Sequence, residues 1–403
     1  MSDDGKITEM AVAYLAAEGM SQTKIGQSLS LSQSAVSRLL FQKKGDERVL
    51  NPWLETQPPY RFRQKDVDDA AMDAILRRIS RKLLPQYLRE FALKNGHSCV
   101  PAVRVFPSAP KGEKEETGKK LHRFMDFAHQ AAPYVASLLM RDSVKNCGVT
   151  WGYMLSDLCI ALRQLNRPAR WKKEEVGINP LSGDPIRERS KGESPALTSS
   201  NIAAELGRIV NGEQYRAPWL GLVPAFIPEE FSPRAVAVID RMVYMVPDYA
   251  TIFGKEKTKP EACLAGRLDM LLTSVGTVEN PLGFGNGRLL ASLGPKLTAL
   301  KSEIRGDIGG VLLPRDKTRP SPLVSMIERR WKGIRRGHLQ ACARRAAGED
   351  PLSGRPGVVL LSLGKERAEA VAAAVAEGLV NHLVVDQELE TALEERLANL
   401  LRA

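Results

Sequence analysis

Cysteine and histidine are both scarce in this chain, with five of each among 403 residues. The cysteines (Cys99, Cys147, Cys159, Cys263 and Cys342) never form a CxxC pair, and no two histidines stand four residues apart. Disulfide frameworks and structural zinc sites both need regularly spaced ligands. The sequence therefore predicts neither a disulfide framework nor a metal site, and it offers no motif for a cofactor.

Long apolar runs are also missing. No run approaches the roughly 18 residues that a membrane-spanning helix needs, and the acidic start MSDDGKITEM lacks the apolar core of a secretory signal. The composition, 43% hydrophobic and 26% charged, is typical of a globular protein, and 403 residues exceed what one core usually supports. We therefore expect a cytoplasmic protein of at least two domains that does not engage a membrane.

The positive charge is not concentrated at the N-terminus. The net charge is +11, but residues 1–50 hold six basic and six acidic side chains, whereas residues 301–350 hold twelve basic and six acidic ones. The basic side chains of that second segment cluster in the run Arg329–Arg345. The simplest interpretation of this run is a solvated helix face, and the alternatives are a DNA-backbone patch or a surface for an anionic partner.

The N-terminal segment has the spacing of a helix-turn-helix. A first apolar stripe ends near Gly19, after which Ser21 and Ser32 can cap a second and a third helix, the third ending at about Phe41. Gly26 stands where only a small side chain lets the two helices cross. The first stripe comprises Ile7, Met10, Ala11, Tyr14 and Leu15, and the expected inward positions of the later helices are Ile25, Leu29, Leu31, Val36 and Leu39.

Polar side chains occupy the outward positions of the third helix. Glutamine and arginine can make bidentate contacts with base edges, and serine hydroxyls suit phosphates or bases. The two lysines that follow are suited to phosphate contacts. The predicted DNA-binding residues are Gln33, Ser34, Ser37 and Arg38 for readout, Lys43 and Lys44 for the backbone, and Gln22 and Thr23 at the start of the second helix.

Two departures weaken the motif. Serine (Ser30) stands at the turn position normally given to glycine, and Lys24 takes the place of the Glu or Gln that completes a capping box. Helix pairs of this spacing also occur in domains that touch no nucleic acid. A three-helix interaction domain is therefore the alternative for residues 1–50.

The proline-containing stretch NPWLETQPPYRF marks a linker at residues 51–65. Beyond it, short apolar runs end in glycine turns and lead into helical patterns, as in PGVVLLSLG followed by KERAEAVAAAVAEGL. Repeated strand, turn and helix patterns indicate an α/β domain with a parallel sheet over residues 66–403. Small anions bind such sheets at the carboxyl ends of the strands.

The order of motifs is similar to a known family. A helix-turn-helix followed by CGVTWG, TSSNIAAEL, LDMLLTSVG, GDIGG and LSLGKERAEAVAAAVAEGLVNHLVVD resembles the SorC family of sugar-responsive transcriptional regulators over nearly the whole chain. The resemblance implies a Rossmann-like effector domain of the NagB/RpiA/CoA-transferase type. It also implies a phosphorylated sugar as effector, operator DNA as partner, a homodimer or homotetramer, and a bacterial cytoplasmic location, at the nucleoid when DNA is bound.

Effector-binding positions follow from the resemblance. Gly148, Trp151 and Gly152 match a loop that approaches the ligand phosphate, and the family's following threonine is Met154 here. Arg367 takes the position of a phosphate-binding lysine, which keeps the charge but changes the geometry. The remaining matched positions are Ser200, Asn201, Asp269, Gly276, Asp307, Gly310 and Lys365.

Several of these residues also have purely structural interpretations. Glycines that end strands occur in any α/β sheet, Asp307 could cap a turn, and Trp151 suits a core. Two other functions stay open as well. The effector domain could serve only oligomerisation, or the chain could be a sugar-phosphate isomerase or CoA-transferase-type enzyme. The enzyme is the weaker alternative, because the only glutamate in the matched loops, Glu366, lies between two cations.

Overall fold

We analysed a computed structural model of the chain, which divides into two compact units, Met1–Tyr87 and Leu88–Ala403. The predicted linker at 51–65 and the five residues of the first apolar stripe lie outside the described residues. Val12, which is not one of those five, is helical and buried. The structure describes residues 12, 21–29, 31–44, 47–50, 84–97, 100–106, 117–165, 175–182, 197–216, 226–227, 231–255, 258–277, 279, 296–316, 321–350 and 353–402.

The first unit contains the two helices of the predicted motif, α1 (Gln22–Leu29) and α2 (Gln33–Leu40). A Cβ atom added at Gly26 would lie 2.6 Å from the carbonyl oxygen of Leu31, so the helices cross where only glycine fits. Ser32 caps α2 by accepting a hydrogen bond from the backbone N–H of Ala35. The predicted turn residue Ser30 lies outside the described part of the chain.

The core of this motif differs from the prediction at one position. Ile25, Leu29 and Val36 are buried as expected, whereas Leu31 and Leu39 are only half-buried, and the side chain that packs inward is Leu40. The helix remains regular to Leu40, which stands four residues after Val36 and therefore shares its face. The prediction of Leu39 as the last inward position was wrong.

A β-hairpin follows α2 directly and was not predicted. Strand β1 (Phe41–Lys44) pairs antiparallel with β2 (Glu47–Leu50), with Phe41 opposite Leu50 and Lys44 opposite Glu47. The expectation of a mainly α helix-turn-helix domain over residues 1–50 did not include these two strands. The sequence did contain the signal, because Gly-Asp between two short runs is typical of a two-residue hairpin turn.

The second unit is built on an eight-stranded sheet. Its strands are β3 (Ala102–Phe106), β4 (Asn146–Val149), β5 (Gly177–Pro180), β6 (Met270–Gly276), β7 (Ile304–Ile308), β8 (Val311–Pro314), β9 (Gly357–Ser362) and β10 (His382–Asp386). The main path runs β3-β10-β9-β6-β4-β5, and every pair along it is parallel. A β7–β8 hairpin joins the end of β6 in antiparallel fashion. The predicted α/β domain with a parallel sheet is confirmed.

Helices cover both faces of this sheet. They are α3 (Thr117–Leu139), α4 (Tyr153–Gln164), α5 (Ser199–Asn211), α6 (Pro233–Met245), α7 (Pro247–Phe253), α8 (Lys296–Glu303), α9 (Pro322–Arg330), α10 (Arg336–Ala346), α11 (Ala368–Ala376) and α12 (Gln387–Arg402), and a helical stretch at residues 84–94 precedes β3. Helices α3, α4 and α5 share a core with alternate residues of β4, β6 and β9. On other parts of the sheet, α10 contacts β9, and α11 contacts β6, β7 and β8. Among the described helices, none has the length and apolar character required to span a bilayer.

The basic run Arg329–Arg345 is not simply a solvated face. It joins the end of α9 to α10, and Trp331 and Ile334 within it are buried. Lys332 is 4% exposed, and its ammonium lies 2.6 Å from the carboxylate of Asp240. Burial lowers the pKa of His338 to about 4, so that ring is neutral at pH 7. Part of the run therefore builds the core.

Asp269, which precedes β6, connects three segments at the amino-terminal edge of the sheet. Its carboxylate accepts hydrogen bonds from the backbone N–H groups of Lys145 and Asn146, at 3.0 and 2.9 Å. The guanidinium groups of Arg345 and Arg355 lie 3.2 and 3.1 Å from its other oxygen. Asp269 is only 4% exposed, so its carboxylate holds these segments together in the protein interior.

We expect Asp269→Ala to lower the free energy of unfolding by about 3–5 kcal/mol, because the substitution leaves two arginines and two N–H groups without their shared acceptor. The matched control is Glu261→Ala, which removes the partner of Arg344 from an ion pair whose side chains are 58% and 63% exposed. That loss should cost less than about 1 kcal/mol. Urea denaturation measures both values. Equal effects of the two substitutions would contradict the structural role of Asp269.

Candidate functional site

Helix α2 presents the predicted readout residues on its solvent side. Gln33, Ser34 and Arg38 are exposed and Ser37 is half-buried, while Val36 and Leu40 point into the core. The Arg38 Nε lies 3.4 Å from the carbonyl oxygen of Ser34, so Ser34 and Arg38 stand one turn apart on the same face. This face lacks acidic side chains and offers hydrogen-bonding groups suited to base edges and phosphates.

The other predicted DNA-binding residues lie on the flanking elements. At the start of α1, Gln22 is half-buried and Thr23 exposed. Lys43 and Lys44 lie on β1 rather than on a helix, with Lys43 opposite Arg48 in the hairpin. The chain thus passes directly from α2 into a two-stranded ribbon whose sequence carries basic residues.

The second candidate site is the carboxyl edge of the parallel sheet, where β4 leads into α4. Gly152 begins this helix with φ of 115°, and a Cβ atom added there would lie 3.8 Å from the Ser274 hydroxyl in otherwise open space. Glycine is suited to this conformation, and it lets a ligand approach the backbone closely. Of the residues matched on β4 and its loop, Gly152 is the one with free space around it.

The neighbouring matched residues are packed instead. A Cβ atom at Gly148 would lie 2.5 Å from side-chain atoms of Leu181 and Leu268, so this glycine is required by packing. Trp151 is 5% exposed and meets Trp331 edge-on at a centroid distance of 5.4 Å. Met154, which takes the place of the family's threonine, is buried in the core.

The β7–β8 hairpin brings Gly276, Asp307 and Gly310 to the same edge. Gly276 pairs with Asp307, and the Asp307 carboxylate accepts a hydrogen bond from the backbone N–H of Gly310 at 2.9 Å. A Cβ atom at Gly310 would lie 2.2 Å from Trp331. Asp307 thus closes the hairpin turn and Gly310 allows the tryptophan to pack, which are the structural interpretations of these residues.

The amino terminus of α5 contributes hydroxyl groups. Thr198 caps this helix by accepting from the backbone N–H of Asn201, whose side chain is exposed. Ser199 is fully buried and accepts from the N–H of Ser182 at 3.4 Å. The hydroxyl of Ser200 is buried and has no hydrogen-bond partner among the described residues.

The loop after β9 carries the two matched cations. Lys365 is exposed, whereas Arg367 turns back to the carbonyl oxygen of Leu363 and pairs with Glu366 at 2.7 Å. Burial lowers the pKa of Arg367, although its guanidinium stays protonated at pH 7. Lys365 is therefore the matched cation that projects into solvent, and Arg367 is held by the loop.

An ionic cluster missed by sequence reasoning fixes this loop. At the end of β10, Asp386 accepts hydrogen bonds from the backbone N–H groups of Gly364 and Leu389, at 2.9 and 3.0 Å. The Arg123 guanidinium lies 2.7 Å from Asp386 and 2.6 Å from Glu388. An aspartate directly after the apolar run HLVV was the available signal, because such residues lie at the carboxyl edge of a parallel sheet.

Ser362 is the second residue that sequence reasoning missed. It ends β9 with 2% exposure, and its hydroxyl has no hydrogen-bond partner among the described residues. Buried hydroxyls are normally paired, so an unpaired one at a strand end indicates that water or a ligand completes it. Ser362 and Ser200 are two such groups at the carboxyl edge.

The structure therefore gathers most, but not all, of the matched positions. The ends of β4, β6 and β9 are neighbours, which brings together Gly152, Gly276 and Lys365, with Ser200 on the adjoining helix. Asp269 lies at the opposite edge, because it precedes β6 instead of following it. An edge with hydroxyls, backbone N–H groups and an exposed cation can bind an anionic ligand. In the described part of the chain, no group of histidine, cysteine or acidic side chains could hold a metal ion.

Comparison with known proteins rests on structure, because no protein-family profile and no curated protein matches the chain. A DeoR family transcriptional regulator from Listeria monocytogenes matches with a TM-score of 0.50 and 17% identity, over 77% of this chain and 98% of that one. The chain shares the fold of that regulator. The full-length sorbitol operon regulator SorC from Klebsiella pneumoniae matches with a TM-score of 0.49 and 15% identity, over 99% of this chain and 100% of that one.

Proposed function

We propose that the chain is a DNA-binding transcriptional regulator, located in the cytoplasm, whose α/β unit binds a phosphorylated sugar or a similar small anion. The observation that carries the proposal is the surface of α2. Its exposed Gln33, Ser34 and Arg38 stand on a helix positioned by the Gly26 crossing and the Ser32 cap, and a basic hairpin follows it. This arrangement suits insertion of α2 in a major groove.

Base readout is tested by fluorescence anisotropy with the DNA upstream of the gene itself. We expect Gln33→Ala and Arg38→Ala to cost about 1–3 kcal/mol each and to relax discrimination between this DNA and a scrambled duplex. Lys43→Ala and Lys44→Ala should instead weaken binding to both duplexes and reduce the salt slope by about 1 each.

The matched control is Arg344→Ala, which removes an exposed arginine of α10 in the second unit. Its binding should equal that of the unmodified protein. Retention of full sequence discrimination in the Gln33→Ala, Arg38→Ala double variant would show that α2 does not read bases.

The α/β unit is proposed to bind its ligand without turning it over. Of the carboxylates at the carboxyl edge of the sheet, Asp386 is held by Arg123 and Glu366 by Arg367, while Asp307 accepts from the backbone N–H of Gly310. A carboxylate paired with a cation is a weak general base. Ser362, Ser200, Gly152 and Lys365 are the proposed ligand contacts, and Asn201 and Gly276 border them. Asp307, Gly310, Gly148 and Trp151 are proposed to shape the site from behind, and Arg367 to fix its loop.

Ligand binding is tested by thermal denaturation with a panel of phosphorylated hexoses and pentoses. A bound member raises the melting temperature by mass action, by the equivalent of about 2.7 kcal/mol at a hundredfold excess over Kd. In Ser362→Ala, the melting temperature without ligand should be unchanged or higher, because the lost hydroxyl has no protein partner. The ligand-induced rise should be smaller in that variant.

Two outcomes would contradict this assignment. A panel that leaves the melting temperature unchanged would leave the α/β unit as an oligomerisation platform without a sensing role. A ligand-induced rise that is identical in Ser362→Ala and the unmodified protein would place the ligand away from the end of β9.

We also propose that the chain forms a homodimer or homotetramer, which would present two copies of α2 to the two halves of an operator. Support comes from α6, where Val238, Met242 and Met245 are 52%, 62% and 80% exposed. Their spacing of four and three residues places them on one face of the helix. Exposed apolar stripes of this kind are typical of protein interfaces.

Sedimentation velocity tests this oligomer. We expect Met242→Glu to shift the population toward monomer, because a charge in an apolar interface must be desolvated. Arg241→Glu is the matched control, since it places the same side chain at the adjacent exposed position of the helix. An unchanged sedimentation coefficient for Met242→Glu would rule out α6 as the interface.

A further inference from the structure

A separate cavity of about 410 Å³ lies in the second unit. It is bordered by Asn95 and His97, which follow the helical stretch at 84–94, by Glu328, by Arg336 and Gln340 of α10, and by Glu377 directly after α11. Helix α11 ends on the side of the sheet where β10 begins. The cavity is therefore distinct from the carboxyl edge, which lies where β9 and β10 end.

The unusual group in this cavity is the carboxylate of Glu377. Its side chain is only 5% exposed, and one of its oxygens pairs with the guanidinium of Arg336. The other oxygen, Oε1, is buried and has no hydrogen-bond partner in the described part of the chain. A buried carboxylate oxygen without a donor is costly. The cavity thus contains a strong acceptor that a bound molecule can satisfy.

The charges around the cavity exclude an anion. Arg336 serves two carboxylates, since it also lies 3.5 Å from Glu328, and it donates to the carbonyl oxygen of Leu312 at 2.6 Å. One cation against two carboxylates leaves a net negative charge. A phosphate or carboxylate ligand would be repelled by it.

The other polar groups offer both donors and acceptors. The Asn95 amide donates to the carbonyl oxygen of Phe91 at 2.9 Å, which leaves its own oxygen as an acceptor. His97 Nε2 lies 3.0 Å from the carbonyl oxygen of Ala376, so in a neutral ring Nε2 donates and Nδ1 accepts. Gln340 adds an amide with both capacities. An ammonium ligand could use only the acceptors, and the positive charge of Arg336 would repel it.

We propose that this cavity binds a small unphosphorylated polyol or sugar, one hydroxyl of which donates to Oε1 of Glu377. A hydroxyl group both donates and accepts, so neighbouring hydroxyls match carboxylate, amide and guanidinium groups that stand side by side. The volume lies in the range of small-molecule sites. The ligand chemistry therefore differs from that of the carboxyl edge, where a charged ligand is proposed.

Saturation-transfer NMR on the full chain tests this site with mannitol and glucose as probes at millimolar concentration. We expect saturable binding of at least one of them, weakened about tenfold or more in Glu377→Gln and in Gln340→Leu, because each substitution removes a hydrogen-bonding group from the cavity. Gln340 is half-buried on a helix surface, so its leucine variant should keep the fold even if Glu377→Gln is destabilised. Melting curves establish which variants are folded.

A control variant separates this site from other surfaces. Arg344→Ala changes the same helix outside the cavity and should leave probe binding unchanged. Absence of saturable binding for both probes would overturn the proposal. So would binding that folded Gln340→Leu leaves intact, or cavity-dependent binding of putrescine or inorganic phosphate in place of the polyols.

Discussion

The parallel pairing of β4, β6, β9 and β10 is the constraint from which the second unit follows. A parallel sheet needs helical connections, and these connections bury both of its faces. The six residues of β9 are accordingly all buried. Charged groups of the sheet are then favoured at its two edges. This explains why Asp386 lies at one edge and Asp269 at the other.

The two edges differ in what the polar groups do. At the amino-terminal edge, Asp269 is surrounded by two backbone N–H groups and two arginines, so its hydrogen-bonding capacity is used within the protein. At the carboxyl edge, Asp386 orders the loop of Gly364, while the hydroxyls of Ser362 and Ser200 have no partner among the described residues. The unpaired hydroxyls at the carboxyl edge, and the unpaired oxygen of Glu377 in the cavity, are the groups to which we assign the proposed ligands.

Sequence reasoning found those features that depend on local periodicity and capping. The helix boundary at Ser32 and the Gly26 crossing follow from capping chemistry and side-chain size. The hydrophobic runs identified β4, β6, β9 and β10 of the parallel sheet, but not β3 or β5. It failed where tertiary packing determines which of two adjacent residues is buried. Leu40 is buried in place of Leu39, and the hairpin after it was overlooked although Gly-Asp marked its turn.

The proposed ligand site was only partly predictable for a similar reason. Motif matching gave Gly152 and Lys365, which remain proposed contacts, but it could not distinguish an aspartate that precedes a strand from one that follows it. Asp269 was therefore matched although it lies at the opposite edge, and Asp386 at the carboxyl edge was missed. Ser362 and Glu377 carry no motif, and their distinction is an unpaired buried oxygen, which only a folded structure shows. The basic run Arg329–Arg345 likewise contributes buried residues to the core, which its composition did not indicate.

Helix α2 and the hairpin that follows it are proposed to read DNA. Amide hydrogen exchange of the full chain, with and without the DNA upstream of its gene, tests this most directly. We expect slowed exchange on DNA addition in residues 31–50, and no protection of residues 329–345 by direct contact. Protection confined to residues 329–345, with residues 31–50 exchanging as in the free protein, would contradict it.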